Sequence, residues 1–104
     1  MEIVGNVKNY DWGKLGEQSE VAKLAAINDE TFHLNDSTPY SELWMGAHTS
    51  GPSTLKANGK ELGSIISKSL PYLFKVLSIR KALSIQVHPN KVSFWCESWK
   101  TVLY

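Results

Sequence analysis

The sequence predicts a mainly β fold with short helices, and three observations carry that expectation. Polar and apolar residues alternate with a two-residue period over 40–47 and again over 83–88, the spacing of half-buried strands. The run 72–79 is rich in aromatic and β-branched residues, which suit a pleated sheet. Helical spacing is confined to two short stretches, 19–27 and 62–70.

A chain of 104 residues forms one domain at most and buries a moderate core. Its formal net charge of +1, with acids and bases interspersed, gives no electrostatic footprint for nucleic acid or an anionic membrane. Its apolar runs fall far short of the roughly 20 residues of a spanning helix, so neither partner is predicted. Met1-Glu2-Ile3-Val4-Gly5-Asn6 lacks the basic start and apolar stretch of a signal peptide, which predicts a cytoplasmic chain. The single cysteine, Cys96, fits a reducing compartment and reads as a small apolar residue.

Along the chain, Tyr10 to Gly16 is aromatic and glycine-rich and reads as an ordered, turn-bearing loop. Ser19 is placed to cap a short helix that ends before Asn28, with Val21, Leu24 and Ala25 on one face. After Pro39, Glu42, Trp44 and Gly46 alternate with Leu43, Met45 and Ala47, which predicts a strand. Residues 48–53 collect turn formers, and 62–70 carries Leu62, Ile65, Ile66 and Leu70 at helical spacing. The run 72–79 is then expected to pair with the strand from Leu83 as a hairpin, through a tight connection at Arg80-Lys81. Lys75 stands out in so apolar a run: it either exposes its charge to solvent or meets an anion.

From Leu83 the alternation places Ser84, Gln86 and His88 on one surface and Leu83, Ile85 and Val87 behind it. Alternate Cβ atoms on a strand lie roughly 6.5–7 Å apart, so a Gln and a His two apart can lean onto one metal ion. A half-exposed strand shows the same alternation with no ligand. Two ligands also fall short of the three or four that metal sites use.

Several segments together resemble the type I phosphomannose isomerases, also called mannose-6-phosphate isomerases. They are Tyr10-Asp11-Trp12-Gly13, Ser19-Glu20-Val21-Ala22, Pro39 to Gly46, Pro71 to Leu77 and Leu83 to Lys91. The resemblance implies a cupin-type (jelly-roll) β-barrel, present here in part, and a zinc enzyme that interconverts mannose 6-phosphate and fructose 6-phosphate, feeding GDP-mannose synthesis. Carried over by position, Gln86 and His88 match two zinc ligands and Ser84 matches a position beside the sugar phosphate. Trp12, Glu42 and Lys75 match family landmarks to which no direct role is assigned.

The likeness covers residues 4–91. The family's later His-Lys-Pro-Glu segment, with a third zinc ligand, and its more distant His ligand and catalytic Arg have no matching position in these residues. Residues 92–104 read as a divergent aromatic tail, so the chain is expected to be an N-terminal fragment or truncated isoform, inactive alone. Glu97 with His33 or His48 would be needed to complete the zinc site, and nothing around them resembles the family motif. The alternative is a non-catalytic fragment that binds a partner, or itself, through open strand edges.

Overall fold

A computed structural model describes residues 2–66 and 70–83, and the backbone of 85–86 and 101–102. The mainly β expectation holds. The strands are β1 (Ile3–Val4), β2 (Asn6–Lys8), β3 (Lys14–Leu15), β4 (Pro39–Tyr40), β5 (Glu42–Met45), β6 (Thr54–Leu55), β7 (Phe74–Leu77), β8 (Ile85–Gln86) and β9 (Thr101–Val102), with one α-helix, α1 (Glu20–Asn28). All pairings are antiparallel: β2-β5-β7 form a three-stranded sheet, and β1-β6, β3-β4 and β8-β9 form two-stranded ones. No closed barrel is present among the described residues.

The helix begins where the sequence places it, because Ser19 Oγ accepts from the Ala22 N–H at 3.3 Å while donating to the Tyr40 carbonyl at 2.7 Å. It runs through Asn28, one residue further than expected. Asn28 serves both sides of Gly5, accepting from the Gly5 N–H and donating to the Ile3 carbonyl, each at 2.9 Å. The buried face is Val21, Ala22 and Ala25, whereas Leu24 is exposed. Small alanines let the helix lie close against Tyr40 and Leu43, with Val7, Phe32, Met45 and Val76 around them.

Two expectations are corrected. The spacing over 62–70 yields a 3-10 turn at Leu62–Ser64; Ile65 N–H and Ile66 N–H both return to the Leu62 carbonyl, and 67–69 lie outside the described residues. Among the described residues the predicted hairpin is not seen, since β7 pairs with β5 and β8 with β9. Arg80-Lys81 is instead tied to the first loop: both backbone N–H groups donate to the Trp12 carbonyl, and the guanidinium donates to the carbonyls of Gly13 and Asp11 at 3.2 and 3.0 Å. Pairing β7 with β5 sets Val76 opposite Leu43, on the face that meets α1, and that burial favours this register.

The loop 10–16 is ordered, as expected. Gly13 is required there, because a Cβ would lie 2.7 Å from both the Cα and the N of Ser41.

Candidate functional site

Among the described residues, the face of the β2-β5-β7 sheet opposite α1 gathers a cluster of charged and aromatic side chains. In β5, Leu43 points into the core, so Glu42 and Trp44 point the other way. Antiparallel register sets Lys8 and Leu77 on either side of Glu42, and Asn6 and Lys75 on either side of Trp44. Directly opposed residues share a face, so one strand's alternation gathers two lysines, a carboxylate and an indole.

Glu42 is only 6 % exposed, and each of its oxygens has a partner. Oε2 accepts from the Trp44 indole N–H at 3.0 Å, and Oε1 lies 3.4 Å from Lys75 Nζ. A buried carboxylate without such partners carries a large desolvation cost. Lys75 Nζ also lies 5.2 Å from the Trp44 ring centroid, and Lys8 Nζ lies 4.5 Å from it, both within cation–π range. Lys8 donates to the Ser50 carbonyl at 2.7 Å. The His48 ring meets Trp44 edge-on at 5.4 Å, and its Nδ1 accepts from the Ser50 N–H at 3.1 Å. The loop after β5 is thereby strapped across this face.

Two ammonium groups and one carboxylate leave the ensemble one positive charge in excess, with each lysine already held by a partner in the chain. Of the two roles open to Lys75, the structure shows it meeting an anion, the chain's own Glu42. Sequence reading took β5 as a strand and did not single out Lys8, whose relation to Trp44 depends on a strand pairing far along the chain. His48 is an exposed histidine whose ring touches Trp44 edge-on.

Gln86 lies in β8 opposite Thr101. Ser84 and His88 lie outside the described residues, as do Cys96 and Glu97. Among the described residues, no group of three or more His, Cys, Asp or Glu side chains is placed to hold a metal ion. His33 is exposed, and its carbonyl accepts from the Tyr40 hydroxyl at 3.5 Å. No helix among them is long and apolar enough to cross a membrane.

Residues 1–96 match the family described as phosphomannose isomerase type I, catalytic domain. The chain is 48 % identical over 99 residues to the mannose-6-phosphate isomerase of Schizosaccharomyces pombe, covering 83 % of this chain and 24 % of that protein. It is 43 % identical over 102 residues to the Saccharomyces cerevisiae mannose-6-phosphate isomerase, covering 81 % and 24 %. Against the Rattus norvegicus mannose-6-phosphate isomerase it is 44 % identical over 103 residues, covering 82 % and 24 %. The chain thus spans about a quarter of the length of the curated relatives it matches.

Proposed function

The chain belongs to the type I phosphomannose isomerase family, and from that premise we propose that it contributes to a zinc-dependent, cytoplasmic site interconverting mannose 6-phosphate and fructose 6-phosphate, a step that feeds GDP-mannose synthesis. The supporting observation is the family match through residue 96, which spans Ser84, Gln86 and His88. We take the short antiparallel sheets as part of a cupin-type barrel.

In this reading Gln86 and His88 hold zinc and Ser84 contacts the sugar phosphate. The donor set fits zinc in kind: Gln86 lies on a strand, two positions before a histidine, and an amide oxygen and an imidazole are neutral ligands that preserve the ion's positive charge. When bound, zinc supplies Lewis acidity toward the substrate's oxygens. A phosphate gripped away from the reacting carbons orients them. The set is two ligands short of a closed site, so the 104 residues by themselves are expected to hold zinc weakly and to leave mannose 6-phosphate unconverted.

The test strips the purified chain of metal, titrates zinc by calorimetry, and assays conversion of mannose 6-phosphate. Weak zinc binding, reduced further by Gln86→Ala and by His88→Ala, is the expected result. Zinc binding indifferent to both substitutions would remove these residues from the site.

A further inference from the structure

Of the chain's asparagines, Asn58 alone is followed by glycine, and the pair sits at the exposed tip of a turn. The turn joins Thr54 to Glu61, which face each other across an isolated bridge. Leu55 closes it twice, its N–H donating to the Lys60 carbonyl and its own carbonyl accepting from the Gly59 N–H, each at 2.8 Å. Gly59 adopts a left-handed φ of +74°, with nothing within 4 Å of where a Cβ would stand.

Such a pair sets an electrophile beside a nucleophile. The Gly59 main-chain nitrogen attacks Asn58 Cγ to form a cyclic succinimide; the bond from Cγ to the side-chain nitrogen breaks, and ammonia leaves with the proton that the Gly59 nitrogen gives up. Water then opens the ring. Cleavage at Cγ leaves an ordinary aspartate, and cleavage at the main-chain carbonyl leaves an isoaspartyl link, so asparagine and water become aspartate and ammonia. Asparagine is a thermally labile residue, and a following glycine, with no side chain, obstructs the ring least.

The fold treats the two reacting groups differently. Asn58 Oδ1 accepts from the Lys60 N–H at 3.0 Å, which polarises the carbon under attack and holds the side chain against the turn. The Gly59 N–H, by contrast, is tied to the Leu55 carbonyl, and its nitrogen is released only when the turn opens locally. We propose that Asn58 is a spontaneous deamidation site whose rate is set by opening of the turn 55–60. The product acts back on the fold. Conversion lowers the formal net charge by one unit from +1, and the isoaspartyl form lengthens the main chain inside a loop closed by Leu55. Leu55 is buried and pairs with Ile3, and the Lys56 N–H donates to the Glu2 carbonyl at 3.0 Å, so the longer loop loosens β6 from β1.

The experiment incubates the purified 104-residue chain at mildly alkaline pH, folded and in parallel unfolded in guanidinium, and follows each asparagine by peptide mass mapping. Native amide protection in β5 is confirmed first by hydrogen exchange. The expected result is conversion at Asn58 in both states, ahead of every other asparagine, and at least about tenfold faster in the unfolded chain because opening gates the native reaction. Leu55→Ala, which removes the buried side chain at the base of the turn, should speed the folded reaction, whereas Gly59→Ala should slow the unfolded one. The isoaspartyl chain, separated by ion exchange, should lose amide protection at Leu55 and Lys56 while β5 keeps its own.

Equal rates in the two states overturn the gating by the turn, and faster conversion at another asparagine overturns the assignment of the site. A folded chain that stays intact at Asn58 long after the unfolded chain has converted does the same. Unchanged protection at Leu55 and Lys56 in the isoaspartyl chain refutes the effect on the β1-β6 pairing.

Discussion

Glu42 and Lys75 offer a prediction whose sign is set by burial. At 3.4 Å and an effective dielectric of about 20, the gross attraction is about 5 kcal/mol. Much of it is offset by desolvating a carboxylate that is 6 % exposed and by screening at the lysine, whose side chain is 35 % exposed. The two partners are therefore not equivalent. Lys75→Met strands a buried anion that keeps only the Trp44 indole N–H as partner, a loss we place at about 2 kcal/mol, below the 3–5 of a fully buried pair. Glu42→Gln removes the pair but retains an acceptor for the indole and frees a cation that can reach water, at about 1 kcal/mol. The double variant no longer buries an unmatched charge, so it is expected to be about 1 kcal/mol more stable than Lys75→Met alone. Urea unfolding followed by circular dichroism reads this as a higher midpoint, by roughly 0.5–1 M. A double variant less stable than either single one, with additive losses, would refute the assignment of Lys75 as the counter-charge.

Gly13→Ala is expected to cost about 3 kcal/mol or more, because its Cβ would sit 2.7 Å from backbone atoms of Ser41 that cannot step aside; Gly59→Ala, with φ of +74° and nothing within 4 Å, should cost only about 1 kcal/mol, a contrast that thermal melts can read. Ser41→Ala should cost about 2 kcal/mol, since the fully buried hydroxyl donates to the Lys8 carbonyl at 2.8 Å and accepts from the Tyr10 N–H at 3.0 Å; loss of amide protection at Tyr10 checks the cause. The Thr31 hydroxyl, donating to Asp29 Oδ1 at 2.7 Å, and then the Thr31 N–H at 2.9 Å, hold the Asp29 carboxyl below its ordinary value of 3.8. A folded value below the unfolded one stabilises above the unfolded pKa and loses that effect as pH falls through the folded one. Wild type should therefore exceed Asp29→Ala in urea midpoint at neutral pH, with the gap narrowing in acid; a gap constant across pH would contradict this.

What the sequence made legible was local. The Ser19 cap and the alternation of β5 depend on neighbours a few residues away, and both stand. The partner of β7 depended on burying Val76 against Leu43 beside α1, which no window around 72–79 contains, so a neighbouring strand was chosen instead. On α1, helical spacing put Leu24 on the buried face with Val21 and Ala25; the surface the helix meets, Tyr40 and Leu43, takes Ala22 instead and leaves Leu24 exposed. At 62–70 the periodicity was present, but the Leu62 N–H is held by the Ser53 carbonyl at 2.8 Å, and the turn that follows is 3-10. Gln86, a zinc ligand only in the proposed reading, was singled out through its neighbours in the motif. Lys8 was invisible because its partners, Trp44 and Ser50, lie across a sheet.

The landmark segments that carry the family resemblance also explain one another physically. Gly13 lies against the Ser41 backbone, Ser41 O accepts from the Ser78 N–H, and Ser78 O accepts from the Lys14 N–H. Arg80 binds the carbonyls of Asp11 and Gly13, and Ser19 binds Tyr40. Motifs at 10–13, 19–22, 39–46 and 71–77 therefore meet along a seam with β5 at its centre. Several of these residues act there through main chain or through short hydroxyls, which accounts for a motif such as Tyr10-Asp11-Trp12-Gly13 without giving each member a role toward substrate. The seam fixes the β2-β5-β7 sheet, and the sheet holds Glu42, Trp44 and Lys75 on the face that α1 does not cover. In this quarter of the family fold, the resemblance thus tracks a framework whose charged face is held by its own internal pairs.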